Sequence, residues 1–357
     1  MSRTDDILEK TKRDGPEAKK WIVVLAIVLG VVLAYFGLGF YLDFVGVNTY
    51  ISETKQVVAV YDFYDLKVGE TETAVYFIGS SIVGCGIDSD EINRILKERG
   101  YDITVYNLGI DGDDPLERSL HIPNIVESSP SLVIFGESYR FVTSDSLNEE
   151  KIFLVKDKLN IQLDSFHLYS IDELWTILKP HTYLDDKRFV DSARTYTPKG
   201  IEQIDSVVST DLYTLTKGSS WRHNEENNPK YSRDGIIADA NGGGMSPIIT
   251  DDVTNTKKAL SYSVSTLLNA EIPVVILNMP LHPLISEHVT EDSRENFFEY
   301  LDSTGALWYD YEFACSGDDY WYKDGRHIAP ETGAKMFAPQ MAELIIELEE
   351  NNVIHHS

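Results

Sequence analysis

Two short segments at opposite ends of this chain hold residues whose types and spacing can do chemistry together. The first is Ala74-Val75-Tyr76-Phe77-Ile78, a short apolar run closed by Gly79 and followed by Ser80 and Ser81. A serine at such a strand-to-helix turn projects its hydroxyl at the carboxyl edge of a sheet, where a nucleophile can meet substrate. The second is Asp324-Gly325-Arg326-His327, directly before a long helical pattern. This spacing lets the carboxylate orient the imidazole, which can take the serine proton during attack and return it to the leaving group. Each motif alone has an ordinary explanation, since Ser-Ser pairs are common in loops and a histidine before a helix is commonly a polar cap. Taken together they point to Ser81 as nucleophile, His327 as general base and Asp324 as the orienting acid.

Other positions carry weaker signals. Asn278 and His282, in Asn278-Met279-Pro280-Leu281-His282, fall just after an expected strand, where a substrate contact and a polar loop cap are both open. Tyr139 and Arg140 follow another strand and are candidates to touch an anionic substrate group or simply to lie on the surface. Cys85 is close to the serine turn, and a small buried residue is its ordinary role. With only Cys85 and Cys315 present, a disulfide framework is excluded and a single bridge is open. His121, His167 and His181 lack metal-ligand spacing, so neither a metal nor another cofactor is expected.

The elements that must position Ser81 and His327 read as alternating strands and helices. Strands are expected at 74–78, 103–106, 132–135, 273–277 and 306–309. Helices are expected at 88–99, 115–126, 257–268, 294–301 and 330–350. Apolar runs closed by glycine suit strands buried on both faces, and the alternation argues for a parallel sheet with helices on each side. Ligands of such sheets bind at the carboxyl ends of the strands. Between about 141 and 250 the alternation gives way to mixed polar and aromatic sequence, read as an insertion that serves as a lid or as a packing module.

Trp21 to Leu42 contains no charged residue. At about 1.5 Å per residue it can cross a hydrocarbon core of about 30 Å, so a transmembrane anchor is expected. Basic residues crowd the segment before it, and the next one after it is Lys55. That asymmetry places residues 1–20 in the cytoplasm and the main domain outside, beyond a linker at 43–72. Acidic residues outnumber basic ones 58 to 31, for a formal charge of −27, which argues against nucleic-acid partners. The 43% of hydrophobic residues is ample for a sizeable core.

The motifs and their order resemble the SGNH, or GDSL-like, hydrolase superfamily over residues 73–350, less the insertion. The resemblance implies an α/β fold, a flavodoxin-like three-layer parallel sheet, here preceded by one transmembrane helix. Gly79-Ser80-Ser81 matches the family's first block and makes Ser81 the implied nucleophile. Gly109, in Tyr106-Asn107-Leu108-Gly109, matches the glycine whose amide joins that of Ser81 in the oxyanion hole. Asp324 and His327 match the last block. The third block departs from the pattern: Gly136-Glu137-Ser138-Tyr139 stands where the family has Gly-x-Asn-Asp, so Ser138 replaces the asparagine that helps hold the oxyanion. Losing such a donor costs on the order of 10²–10³ in rate. Either Ser138 or another side chain takes its place, or activity is weakened.

The Gly-Ser-Ser form, followed by Gly86-Ile87-Asp88, is similar to a branch of membrane-anchored proteins that act in D-alanyl transfer to teichoic acids and in alginate acetylation. That likeness implies an esterase or O-acyltransferase acting on a surface glycan or lipid, with a multi-span membrane O-acyltransferase as partner. A non-catalytic module that binds glycan or assembles a membrane complex is the alternative from another class, and a lipid esterase working at its own membrane is a third.

Overall fold

The computed structural model describes residues 20–37, 52–139, 159–178, 254–317 and 321–356, with Leu147, Ile152 and Val155. The chain divides into two compact units, and the described part of the first is a single helix, α1 (Lys20–Gly37). Its mean hydropathy is 2.3 and none of its apolar window is buried, so its length and composition suit a membrane span. Residues 38–42 of the expected anchor lie outside the described residues.

The second unit is an α/β structure. It runs α2 (Ser52–Tyr64), β1 (Ala74–Gly79), α3 (Ser81–Gly86), α4 (Ser89–Glu98), β2 (Thr104–Asn107), α5 (Pro115–Arg118), α6 (Ile122–Ser128) and β3 (Leu132–Glu137). It continues with α7 (Ile171–Leu178), α8 (Thr254–Asn269), β4 (Val274–Asn278), α9 (Pro283–Ser286), α10 (Glu291–Thr304), β5 (Leu307–Asp310) and α11 (Lys335–Glu350). The five strands are all parallel, in the order β2-β1-β3-β4-β5. This order is the one found in flavodoxin-like, doubly wound sheets, whose strand order reverses between β1 and β3.

Alternate residues of each strand feed two separate cores. Tyr76, Ile78, Val133, Phe135 and Ile276 pack beneath α2, α6, α8 and α10. Val75, Phe77, Ile134, Val275 and Leu277 pack beneath α3, α4 and α11. Burial on both faces explains why β1, β3 and β4 are apolar up to Glu137 and Asn278, which close β3 and β4, each large apolar side chain contributing about 1.5–3 kcal/mol.

Several boundaries differ from the sequence reading. The 43–72 stretch, read as a linker, contains α2, whose Val57, Val60, Tyr61 and Tyr64 repeat at helical spacing and belong to the first core. The helix expected at 115–126 is two helices. Pro123 lacks a backbone N–H and is accommodated only in a first turn, so the chain restarts at α6. The last helix opens with one π turn, Pro330–Ala334, before α11. Parts of the expected insertion also pack: Leu168, Tyr169 and Ile177 join Leu116, Leu120 and Ala259 in a third cluster. Most of 141–250, and with it the lid reading, lies outside the described residues. Cys85 and Cys315 are both buried and free, so they form no bridge with each other.

Candidate active site

The register of β1 against β3 sets Gly79 beside Gly136, so the segments carrying Ser81 and Ser138 leave adjacent strand ends. Ser80 ends the extended backbone as the N-cap of α3, and Ser81 opens the helix. Glycine at both strand ends is a packing requirement. A β-carbon on Gly79 would fall 2.4 Å from Val83 Cγ2, and one on Gly136 would fall 2.2 Å from the same atom. Val83 therefore plugs the gap between the strands and holds the serine turn against the sheet.

His327 and Asp324 come from a hairpin-like turn. Tyr322 bridges Ile328 in antiparallel fashion, Lys323 N donates to His327 O at 2.9 Å, and Ala329 N donates to Trp321 O at 2.8 Å. Inside this turn Asp324 Oδ1 accepts from the backbone amides of Arg326 (2.8 Å) and His327 (2.9 Å). The carboxylate thus shapes the loop that presents the imidazole.

Ser81 Oγ lies 2.7 Å from His327 Nε2, and His327 Nδ1 lies 2.9 and 2.8 Å from the two oxygens of Asp324. With a proton on Nδ1 held by the carboxylate, Nε2 presents its lone pair to the serine hydroxyl. Burial pushes the Asp324 carboxyl up, but the hydrogen bond and charge of His327 outweigh it and hold the group below its ordinary 3.8. An acid so stabilised is ionised across the neutral range and can balance a developing imidazolium.

The oxyanion candidates are less uniform. Ser81 N–H sits in the first turn of α3, where helical amides point out of the N-terminal end. The Gly109 N–H donates to Asn107 Oδ1 at 3.1 Å and is thus engaged within the fold. Gly109 also has a steric role: a β-carbon there would meet Gly84 N at 2.4 Å, so only glycine lets the β2 loop approach α3 this closely. Sequence reasoning passed over Asn107. Its amide donates to Ile87 O (2.8 Å), Gly84 O (3.2 Å) and Val83 O (3.3 Å), tying the end of α3 to β2. Ser138 is buried one residue beyond β3.

The remaining candidates are placed elsewhere. Tyr139 has no exposed surface; its hydroxyl donates to Glu312 Oε2 at 2.7 Å and accepts from Asn278 Nδ2 at 3.0 Å. Asn278 is equally buried and also donates to Asp310 Oδ1 at 2.8 Å. Both take part in an interior network, so the structure places them among buried partners, where the sequence left open a substrate contact or an ordinary polar role. His282 is buried as well; its Nδ1 accepts from Leu284 N at 3.2 Å as the N-cap of α9, and its ring packs against Tyr322. It is therefore the polar cap that the sequence left open, and it supports the turn carrying Asp324. Arg140 lies outside the described residues. Among the described residues no three His, Cys, Asp or Glu side chains converge as a metal site.

No protein-family model matches the chain, and no curated protein matches it either.

Proposed function

We propose that this protein is a serine-dependent ester hydrolase or O-acyltransferase of the SGNH-like kind, held at the membrane by α1 with its α/β unit outside the cytoplasm. The observation that carries the reading is the relay from Ser81 Oγ through His327 to Asp324, assembled from residues 246 positions apart in sequence. Ser81 Oγ attacks the ester carbonyl carbon while His327 Nε2 takes its proton. The tetrahedral intermediate collapses, the proton passes to the departing alcohol, and the acyl group stays on Ser81. Water or an acceptor hydroxyl, deprotonated by the same imidazole, then releases it. The substrate is an acylated glycan or lipid of the cell envelope, and a multi-span membrane O-acyltransferase is the partner that suits acyl transfer.

The engagement of Gly109 N–H by Asn107 favours a second reading, a non-catalytic module that binds glycan in the same cleft, because an occupied donor weakens the oxyanion hole. Labelling with a fluorophosphonate separates the two. The full-length protein should be labelled in detergent, and Ser81→Ala should abolish the signal while leaving the far-ultraviolet circular dichroism unchanged. Absence of labelling in the unmodified protein sinks the enzyme reading and leaves the binding module.

A further inference from the structure

Helix α3 carries Ser81 but has little of its own to fix that residue in place. It is six residues long, and so short a helix makes too few hydrogen bonds to offset the cost of its nucleation. Its cap is weak as well, with Ser80 Oγ accepting from Ile82 N at 3.4 Å. The 2.7 Å approach of Ser81 Oγ to His327 Nε2 is therefore set from outside the helix. The end of β2 does this. Asn107, its last residue, is buried and lies beside Phe77 of β1. Beyond it, Leu108 N donates to Phe77 O and Ile110 N donates to Gly79 O, each at 2.8 Å, so this segment follows β1 to the start of the serine turn. On the far side of that turn the Asn107 amide donates to Ile87 O, Gly84 O and Val83 O, carbonyls of the kind that a helix end leaves short of donors.

We propose that Asn107 is the positioning residue of the nucleophile, whose donated hydrogen bonds hold α3, and with it Ser81, where His327 can reach the hydroxyl. This rests on the serine-enzyme reading of Ser81 and extends it to a residue outside the relay. The side chain is set one way by its partners. Reversing the amide would turn Oδ1 toward three carbonyl oxygens and Nδ2 toward the N–H of Gly109. No other residue type of this size does the same work. Aspartate keeps the shape and the bond from Gly109 N but faces the carbonyls with a second oxygen, and leucine keeps the volume but loses every bond. Because the backbone of the Gly109 loop already packs against Gly84 too closely to admit a β-carbon, the loop and α3 move together or not at all. A displacement of about 1 Å at the nucleophile costs on the order of a hundredfold in rate, so a clamp at the far end of its helix has leverage on chemistry.

Asn107→Asp and Asn107→Leu, made in the full-length protein in detergent, separate the donor side of the amide from its acceptor side. Both should lower kcat on para-nitrophenyl acetate about tenfold to a hundredfold, with KM changed less than about twofold, at a temperature where each variant is fully folded. An Asn107→Asp variant of normal kcat would show that only the bond from Gly109 matters, and a loss confined to KM would place Asn107 in substrate binding; either overturns the proposal. Should Asn107→Leu fail to fold, Asn107→Ala, which removes the amide without adding an apolar branch, takes its place. The ring nitrogens of His327 give a readout that requires no turnover. Ser81→Ala removes the hydrogen bond to Nε2 and should shift its NMR resonance in the otherwise unmodified protein. On the Asn107→Leu or Asn107→Ala background the same substitution should shift it less than about half as far, because the bond is already lost. Equal shifts on the two backgrounds overturn the proposal. If the fluorophosphonate leaves Ser81 unlabelled, the serine-enzyme reading fails by itself, and the NMR comparison still decides whether Asn107 sets the Ser81–His327 pair.

Discussion

The turn around Asp324 and the corner where β2 and β3 end both join carboxylates to cationic partners, and they do so in opposite ways. In the turn, one half-exposed aspartate meets a histidine three residues away, and the pairing leaves Nε2 aimed at Ser81. In the corner, Arg118 is 1% exposed, donates Nε to Asp113 Oδ2 at 2.8 Å, bonds Glu137 through Nη1 and stacks over Phe135. Burial opposes the charge of Arg118, and the two carboxylates more than offset it. Burial likewise pushes the Glu137 carboxyl up despite the guanidinium beside it. The turn holds its acid ionised and accessible for work, whereas the corner neutralises charge so that two strand ends and a helix can close. Chemistry should depend on the first and stability on the second.

Removing the acid of the turn is expected to give the largest effect. Asp324→Asn should lower kcat on a simple acetyl ester by about 10⁴, because the amide no longer fixes the Nδ1–H tautomer. The thermal melt should stay cooperative and close to that of the unmodified protein. A variant that keeps more than about a tenth of the activity would detach Asp324 from the mechanism.

Breaking the corner should do the reverse. Arg118→Met leaves Asp113 and Glu137 buried without their counter-charge and should cost about 3–5 kcal/mol in urea unfolding. The folded fraction should react with a serine probe at nearly the original rate. Adding Glu137→Gln to Arg118→Met should recover part of the loss, since one uncompensated charge is removed. A loss below about 1 kcal/mol for Arg118→Met would mean the corner is hydrated and carries little weight.

The contrast also accounts for what could be read from sequence. The relay within the turn is local, so Asp324-Gly325-Arg326-His327 shows it directly, and the double burial of β1, β3 and β4 writes the sheet into continuous apolar runs. The corner is assembled from three segments, and no spacing rule links Asp113, Arg118 and Glu137 to one another. Helix α2 was hidden for a different reason. It follows the long apolar helix α1, and two of its core residues, Tyr61 and Tyr64, carry phenols that blur an apolar pattern even though both are buried. Tyr139, Asn278 and His282 stand at the carboxyl edge as expected, but position along a strand does not tell whether a polar side chain faces the cleft or an interior network. Their partners Glu312, Asp310 and Leu284 decide that, and the first two come from a later strand and loop.

The smallest expected effect concerns Asp114, the N-cap of α5, which stands at the edge of the corner and whose Oδ1 accepts from Glu117 N at 2.9 Å. Burial, reinforced by the charge of Asp113, pushes its carboxyl up to about 6 against the cap hydrogen bond and the pull of Arg118. For an acid whose folded value lies above its unfolded 3.8, the native state binds more protons between the two values, so stability falls as the pH rises through that window. Above about 6 the whole penalty is present, and below 3.8 it is absent because both states are protonated. Asparagine caps a helix as well as aspartate does and carries no charge to bury. Asp114→Asn should therefore raise stability by about 1–3 kcal/mol at pH 7.5, with the gain shrinking toward zero as the pH is lowered to 4. Urea melts of the two proteins at pH 4, 5.5 and 7.5 measure this. A difference that does not change across that range would show that Asp114 titrates normally and that the corner is more open to water than its burial indicates.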